Sequence, residues 1–77
     1  MQVEKSEETL VKEGTVKFYI DEKLFGFLID DISGDEIYVP VAGLIDEIKK
    51  GSKVYYTPSK GEKGVEAIDV RVRKKKH

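Results

Sequence analysis

The sequence has no cysteine, which excludes disulfides, thiolate metal sites and thiol catalysis. Tryptophan is absent too, and the only histidine is the terminal His77. An imidazole tethered at a chain end is a poor general base, so no Ser-His-Asp set can form around it. No GxxxxGK[ST] phosphate loop occurs. No apolar run approaches the ~20 residues of a membrane span, and no signal peptide opens the chain. The expectation is a soluble, cytoplasmic protein that is not an enzyme, needs no cofactor and does not associate with membranes. With 77 residues there is room for one domain, expected to be a monomer. A domain of that size buries only roughly 60–65 % of its unfolded surface, which disfavours a deep cleft.

Charge is plentiful but unevenly placed. The net charge of −1 hides two blocks. Residues 1–48 carry four positive and twelve negative side chains; residues 49–77 carry ten positive and three negative. Such asymmetry points to a nucleic-acid partner if folding gathers the positive charge, and to a solvated, blocky surface if it does not. The carboxylates Asp30, Asp31, Asp35 and Glu36 cluster around one turn, but they lack the D-x-[DN]-x-[DN]-G calcium pattern. No metal site is expected there. Gly61-Glu62-Lys63-Gly64 has the GxxG spacing of a helix-joining RNA clamp, yet it lies between strand patterns and is discounted.

Residues 1–13 are mostly polar and read as a flexible N-terminal extension. From Gly14 onward the texture is that of short strands rich in β-branched and aromatic residues. The first covers Thr15–Ile20, the second Leu24–Ile29 after an Asp21-Glu22-Lys23 turn, and the third Glu36–Val41 after a Ser33-Gly34 turn. A link follows in which Leu44, Ile45 and Ile48 have the spacing of a single helical turn. The fourth strand covers Lys53–Thr57, and Pro58–Gly64 reads as a hairpin loop. Val65–Arg73 is the fifth strand, with Ile68, Val70 and Val72 in alternation, and residues 74–77 form a basic tail. Pro40 has no N–H to donate, so it belongs at an edge, an opening or a bulge. Five short strands with one long link predict an all-β, closed antiparallel barrel, which removes exposed sheet edges.

The second strand is apolar on both faces, with Phe25, Phe27 and Ile29 on one and Leu24, Gly26 and Leu28 on the other. One set must be core. If Ile37, Val39 and Val41 line the barrel, then Phe25, Phe27 and Tyr38 lie outside as a platform. Bases stack on such rings for roughly 1–3 kcal/mol each. The alternative is that the phenylalanines are core, the commoner fate of that residue.

Three segments resemble the cold-shock domain family: Gly14-Thr15-Val16-Lys17-Phe18-Tyr19, Lys23-Leu24-Phe25-Gly26-Phe27-Leu28 and Ile37-Tyr38-Val39-Pro40-Val41. Family members read G-x-V-K-W-F, K-G-F-G-F-I and V-F-V-H-F there. Gly64-Val65-Glu66-Ala67-Ile68-Asp69-Val70 is similar to the family's G-P-x-A-x-x-V ending. The resemblance implies a five-stranded OB-fold barrel at residues 14–73 that binds single-stranded RNA or DNA through its second and third strands. It implies binding roles for Lys17, Phe18, Tyr19, Lys23, Phe25, Phe27, Tyr38, Pro40 and Lys63. Tyr19 falls at the rim, and Lys63 falls where the family often has a basic residue near the nucleic-acid backbone.

The departures are specific. Phe18 replaces the family tryptophan, Leu24 a glycine, and Pro40 and Val41 a histidine and a phenylalanine. Exposing Phe18 also conflicts with simple alternation, which puts it inside with Val16 and Ile20, so the first strand must bend or bulge there. The expected function is RNA chaperone or regulator of transcription or translation, acting by base stacking. The alternative is a protein- or ribosome-interaction module on the same barrel, favoured by the aliphatic Leu24, Pro40 and Val41.

Overall fold

The computed structural model describes residues 10–62 and 64–73; residues 1–9, Lys63 and the tail 74–77, including most of the proposed extension and all of the basic tail, lie outside the described residues. The strands are β1 (Lys12–Ile20), β2 (Phe25–Asp30), β3 (Glu36–Pro40), β4 (Lys53–Gly61) and β5 (Gly64–Val72), with a 3-10 turn at Val41–Gly43. They close into a barrel in the order β1-β2-β3-β5-β4. Neighbours are antiparallel except β3 and β5, which run parallel and meet at Tyr38↔Glu66.

The core is small and aliphatic: Val16, Leu28, Ile37, Val39, Val54, Ala67 and Val70, joined by Tyr56. Leu28 and Gly26 point inward from β2 while Phe25 and Phe27 are only half-buried. Alternation on β2 and β3 therefore resolves the ambiguity of the two apolar faces, putting the aliphatic set inside. On β1 the alternation is interrupted. The register with β2 shifts between Val16 and Phe18, so Lys17 is an extra residue in a bulge. Val16 is thereby buried and Phe18 lies on the outside, as the conflict in the sequence required.

Several elements differ from the sequence expectation. Leu24 is not in β2 but ends the β1–β2 turn at φ +61, its N–H donating to the Ile20 carbonyl at 2.8 Å. Val41 is not a core strand residue: it opens the 3-10 turn and is 44 % exposed. That turn replaces the helical turn expected at residues 44–48. Leu44 instead forms a bridge with Val70, and the Ile45 and Asp46 N–H groups donate to the Val70 carbonyl. The link thus docks on β5 through a bridge and a bend rather than a helical turn.

β4 continues through Pro58 rather than looping there. Beyond Tyr56 no described residue pairs with it on the β1 side, where a residue without N–H is tolerated. In β5 the register jumps from Tyr55↔Arg71 to Thr57↔Ile68, with Asp69 at φ +51. This bulge sends Ala67 and Val70 inward, whereas Ile68 and Val72 are only half-buried.

The turn between β2 and β3 is built around a buried carboxylate. Asp30 Oδ1 accepts the Ile32 and Ser33 N–H groups, both at 2.9 Å, and Oδ2 accepts the Tyr56 hydroxyl at 2.5 Å. These bonds hold the Asp30 carboxyl down at about 2, the Tyr56 hydroxyl contributing most. Burial and the same bond push the Tyr56 phenol up. Gly34 completes the turn at φ +78, where a side chain would be strained.

Candidate nucleic-acid interface

The bulge at Lys17 and the pleat of β2 and β3 bring four rings onto one outer face. In register, Phe18 on β1 lies opposite Phe27 on β2, and Phe27 lies opposite Tyr38 on β3. A second row runs beside it, Ile20 opposite Phe25 and Phe25 opposite Pro40. The ring centroids are 5.6 Å apart for Phe18–Phe27, 5.7 Å for Phe27–Tyr38 and 6.1 Å for Phe25–Phe27. Phe25 and Tyr38 are stacked at 5.8 Å with an interplanar angle of 27°, while the other contacts are edge-on or tilted. Such mutual packing orients the rings while leaving each residue partly exposed. All four are half-buried, as is Pro40.

A ring array of this kind, on an open surface, has the chemistry to stack planar groups one after another. It carries no acid–base pair aimed at a bound group. Among the described residues there is no cluster of His, Asp or Glu able to hold a metal ion, and Asp30, one of the four clustered carboxylates, is spent on internal hydrogen bonds.

The remaining residues singled out from the sequence are placed differently. Lys17 lies at the platform's border and forms an ion pair with Glu36, Nζ to Oε2 at 2.5 Å. Lys23 is exposed in the β1–β2 turn next to the array. Lys63 lies outside the described residues. Tyr19 turns away from the four rings. It packs against the core cluster and lines a cavity with Leu24, Val41, Leu44 and Ile48. Its hydroxyl is buried with no hydrogen-bond partner among the described residues, and burial pushes its pKa up. The cavity holds about 520 Å³ and is rimmed by Asp21, Glu47 and Lys49.

Sequence reasoning missed one participant, Glu36. The sequence groups it with the acidic turn, but it is the first residue of β3 and pairs in register with Ile29. Only the strand register brings it within reach of Lys17.

Residues 12–73 match the family described as 'Cold-shock' DNA-binding domain. Cold shock protein CapB of Pseudomonas syringae pv. tomato is 36 % identical over 63 residues, covering 77 % of this chain and 90 % of the relative. Cold shock-like protein CspG of Shewanella violacea is 33 % identical over 61 residues, covering 74 % of this chain and 87 % of the relative. Major cold shock protein CspA of Pseudomonas aeruginosa is 33 % identical over 63 residues, with coverages of 77 % and 90 %.

Proposed function

Because the chain belongs to the cold-shock domain family, whose function is nucleic-acid binding of the cold-shock type, we propose that it binds single-stranded RNA or DNA on the face of β1, β2 and β3. Phe18, Phe25, Phe27 and Tyr38 stack successive bases, and Pro40 extends the second row. Lys17, Lys23 and Lys63 meet phosphates. The observation that carries this reading is the array of four mutually packed, half-open rings on adjacent strands. Stacking is indifferent to base identity and competes with base pairing, which opens weak secondary structure. The role that follows is RNA chaperone or regulator of transcription or translation, with no chemistry done on the strand.

Titration with a short oligothymidine, followed by tyrosine fluorescence, tests it. Quenching at low salt is expected, with affinity falling as salt rises. Phe25→Ala and Phe27→Ala should each weaken binding by about 1–3 kcal/mol while leaving the urea midpoint nearly unchanged. A large loss of stability instead would make the rings core residues.

A second reading has its own observation. Leu24 is 54 % exposed and adjoins Val41, which is also exposed and whose N–H donates to the Leu24 carbonyl. Such an aliphatic patch suits a protein partner. No quenching at low salt and tens of micromolar protein would hand the face to that reading.

A further inference from the structure

We propose that Glu36 is a built-in counter-ion of the nucleic-acid site. It occupies Lys17 in place of a phosphate and so lowers both the affinity for single strands and its dependence on salt. The proposal rests on the stacking reading above and deepens it.

The geometry carries the argument. Lys17 is the bulge residue of β1, next in sequence to Phe18. Glu36 opens β3, two residues before Tyr38 and so on the same face of the strand. The register runs Thr15↔Ile29 and Ile29↔Glu36, so the ion pair passes over β2 from one neighbour to the other. It lies alongside the row formed by Phe18, Phe27 and Tyr38, on the side away from Phe25. A strand laid along those rings brings its phosphates to this border. The cation waiting there is already neutralised, by a carboxylate at 2.5 Å.

Both partners are about half exposed, 52 % and 46 % of the side chain, so the pair can open into solvent. Exposed pairs of this kind bias an equilibrium by no more than roughly fivefold. Binding is then an exchange in which Lys17 leaves a carboxylate for a phosphate oxygen and Glu36 turns to water. The salt effect follows from ion counting. A lysine that neutralises one phosphate of a single strand releases condensed cation and adds roughly 0.7 to the slope of log K against log salt. Here the freed Glu36 takes a cation back from solution, and the release is largely cancelled.

The test is a double-mutant cycle on the whole chain with short oligothymidine as the probe, over a series of salt concentrations. Glu36→Gln should bind roughly threefold to fivefold tighter at low salt, with a slope steeper by roughly 0.7. Both gains should vanish in the Lys17→Gln background. An equal gain with and without Lys17 would reduce Glu36 to general charge and overturn the proposal, as would unchanged affinity and slope. If neither wild type nor Glu36→Gln binds at low salt, the stacking reading fails and takes this proposal with it. Binding without the Lys17-dependent gain sinks this proposal alone. Glu36→Ser makes the same charge change should Glu36→Gln fold poorly.

Discussion

Asp30 is 4 % exposed, yet its environment keeps it ionised. Three donors converge on its two oxygens, and its pKa falls from an ordinary 3.8 to about 2. A carboxylate with a lowered folded-state pKa stabilises the fold above its unfolded pKa and loses that contribution as pH falls through the folded value. Stability should therefore drop between about pH 4 and pH 2, by roughly 2 kcal/mol from this group. Urea unfolding at stepped pH measures it. Tyr56→Phe removes the strongest donor; it should cost about 1–3 kcal/mol at neutral pH and flatten the acid slope. A slope unchanged in the variant would assign the acid sensitivity to other carboxylates. Leu24 offers the opposite case. At φ +61 a bulky side chain is strained by about 1–2 kcal/mol, a strain glycine does not feel. Leu24→Gly should raise the urea midpoint, with a gain in unfolding free energy of up to about 1 kcal/mol after the extra freedom of the unfolded chain is subtracted. A lower midpoint would mean that the exposed leucine packs more usefully than its conformation costs.

At the scale of elements, the two bulges decide what faces the core. The β1 bulge was legible because Phe18 could not be outside without it. The β5 bulge was not. Ile68, Val70 and Val72 alternate perfectly in the sequence, and nothing local announces that Asp69 turns to φ +51 and resets the phase. The spacing of Leu44, Ile45 and Ile48 suggested a helical turn for a different reason. Leu44 and Ile48 meet the core, and Ile45 does not, because the link lies along β5, bonded to the Val70 carbonyl and, through the Asp46 carboxylate, to the Val72 N–H at 3.0 Å. A tertiary contact mimics a helical period there. The close approach of β1 and β2 is a sharper constraint. A Cβ on Gly26 would run into the Phe18 carbonyl and come within 2.7 Å of the Tyr19 Cα, both backbone atoms. Gly26→Ala should therefore force the strands apart under the rings, costing about 1–3 kcal/mol or more. The check is a lowered urea midpoint together with weaker oligothymidine binding. An unfolding free energy within about 0.5 kcal/mol of wild type would show that β1 yields easily.

For the whole molecule, the charge split of the sequence does not map onto the candidate site in a simple way. The rings belong to the acidic half of the chain, and the cation at their border is held by a carboxylate from the same half. The rings themselves were legible, since period two and the family resemblance agree on them. The Lys17–Glu36 pair and the Asp30–Tyr56 bond were not, because each joins residues far apart in sequence, 19 and 26 positions, that only the closed barrel brings together. That closure is uneven. β1 to β3 form one run of antiparallel ladders, and β4 and β5 form another. Between β3 and β5 there is one parallel pair, Tyr38↔Glu66, seconded by the Leu44↔Val70 bridge, whereas β1 and β4 share four register pairs. The barrel is thus bound like a book, with the β1–β4 ladder as its spine and the β3–β5 contact as its clasp. The ring face lies wholly on one cover, so every ring pair described above is held by the β1–β3 ladders alone.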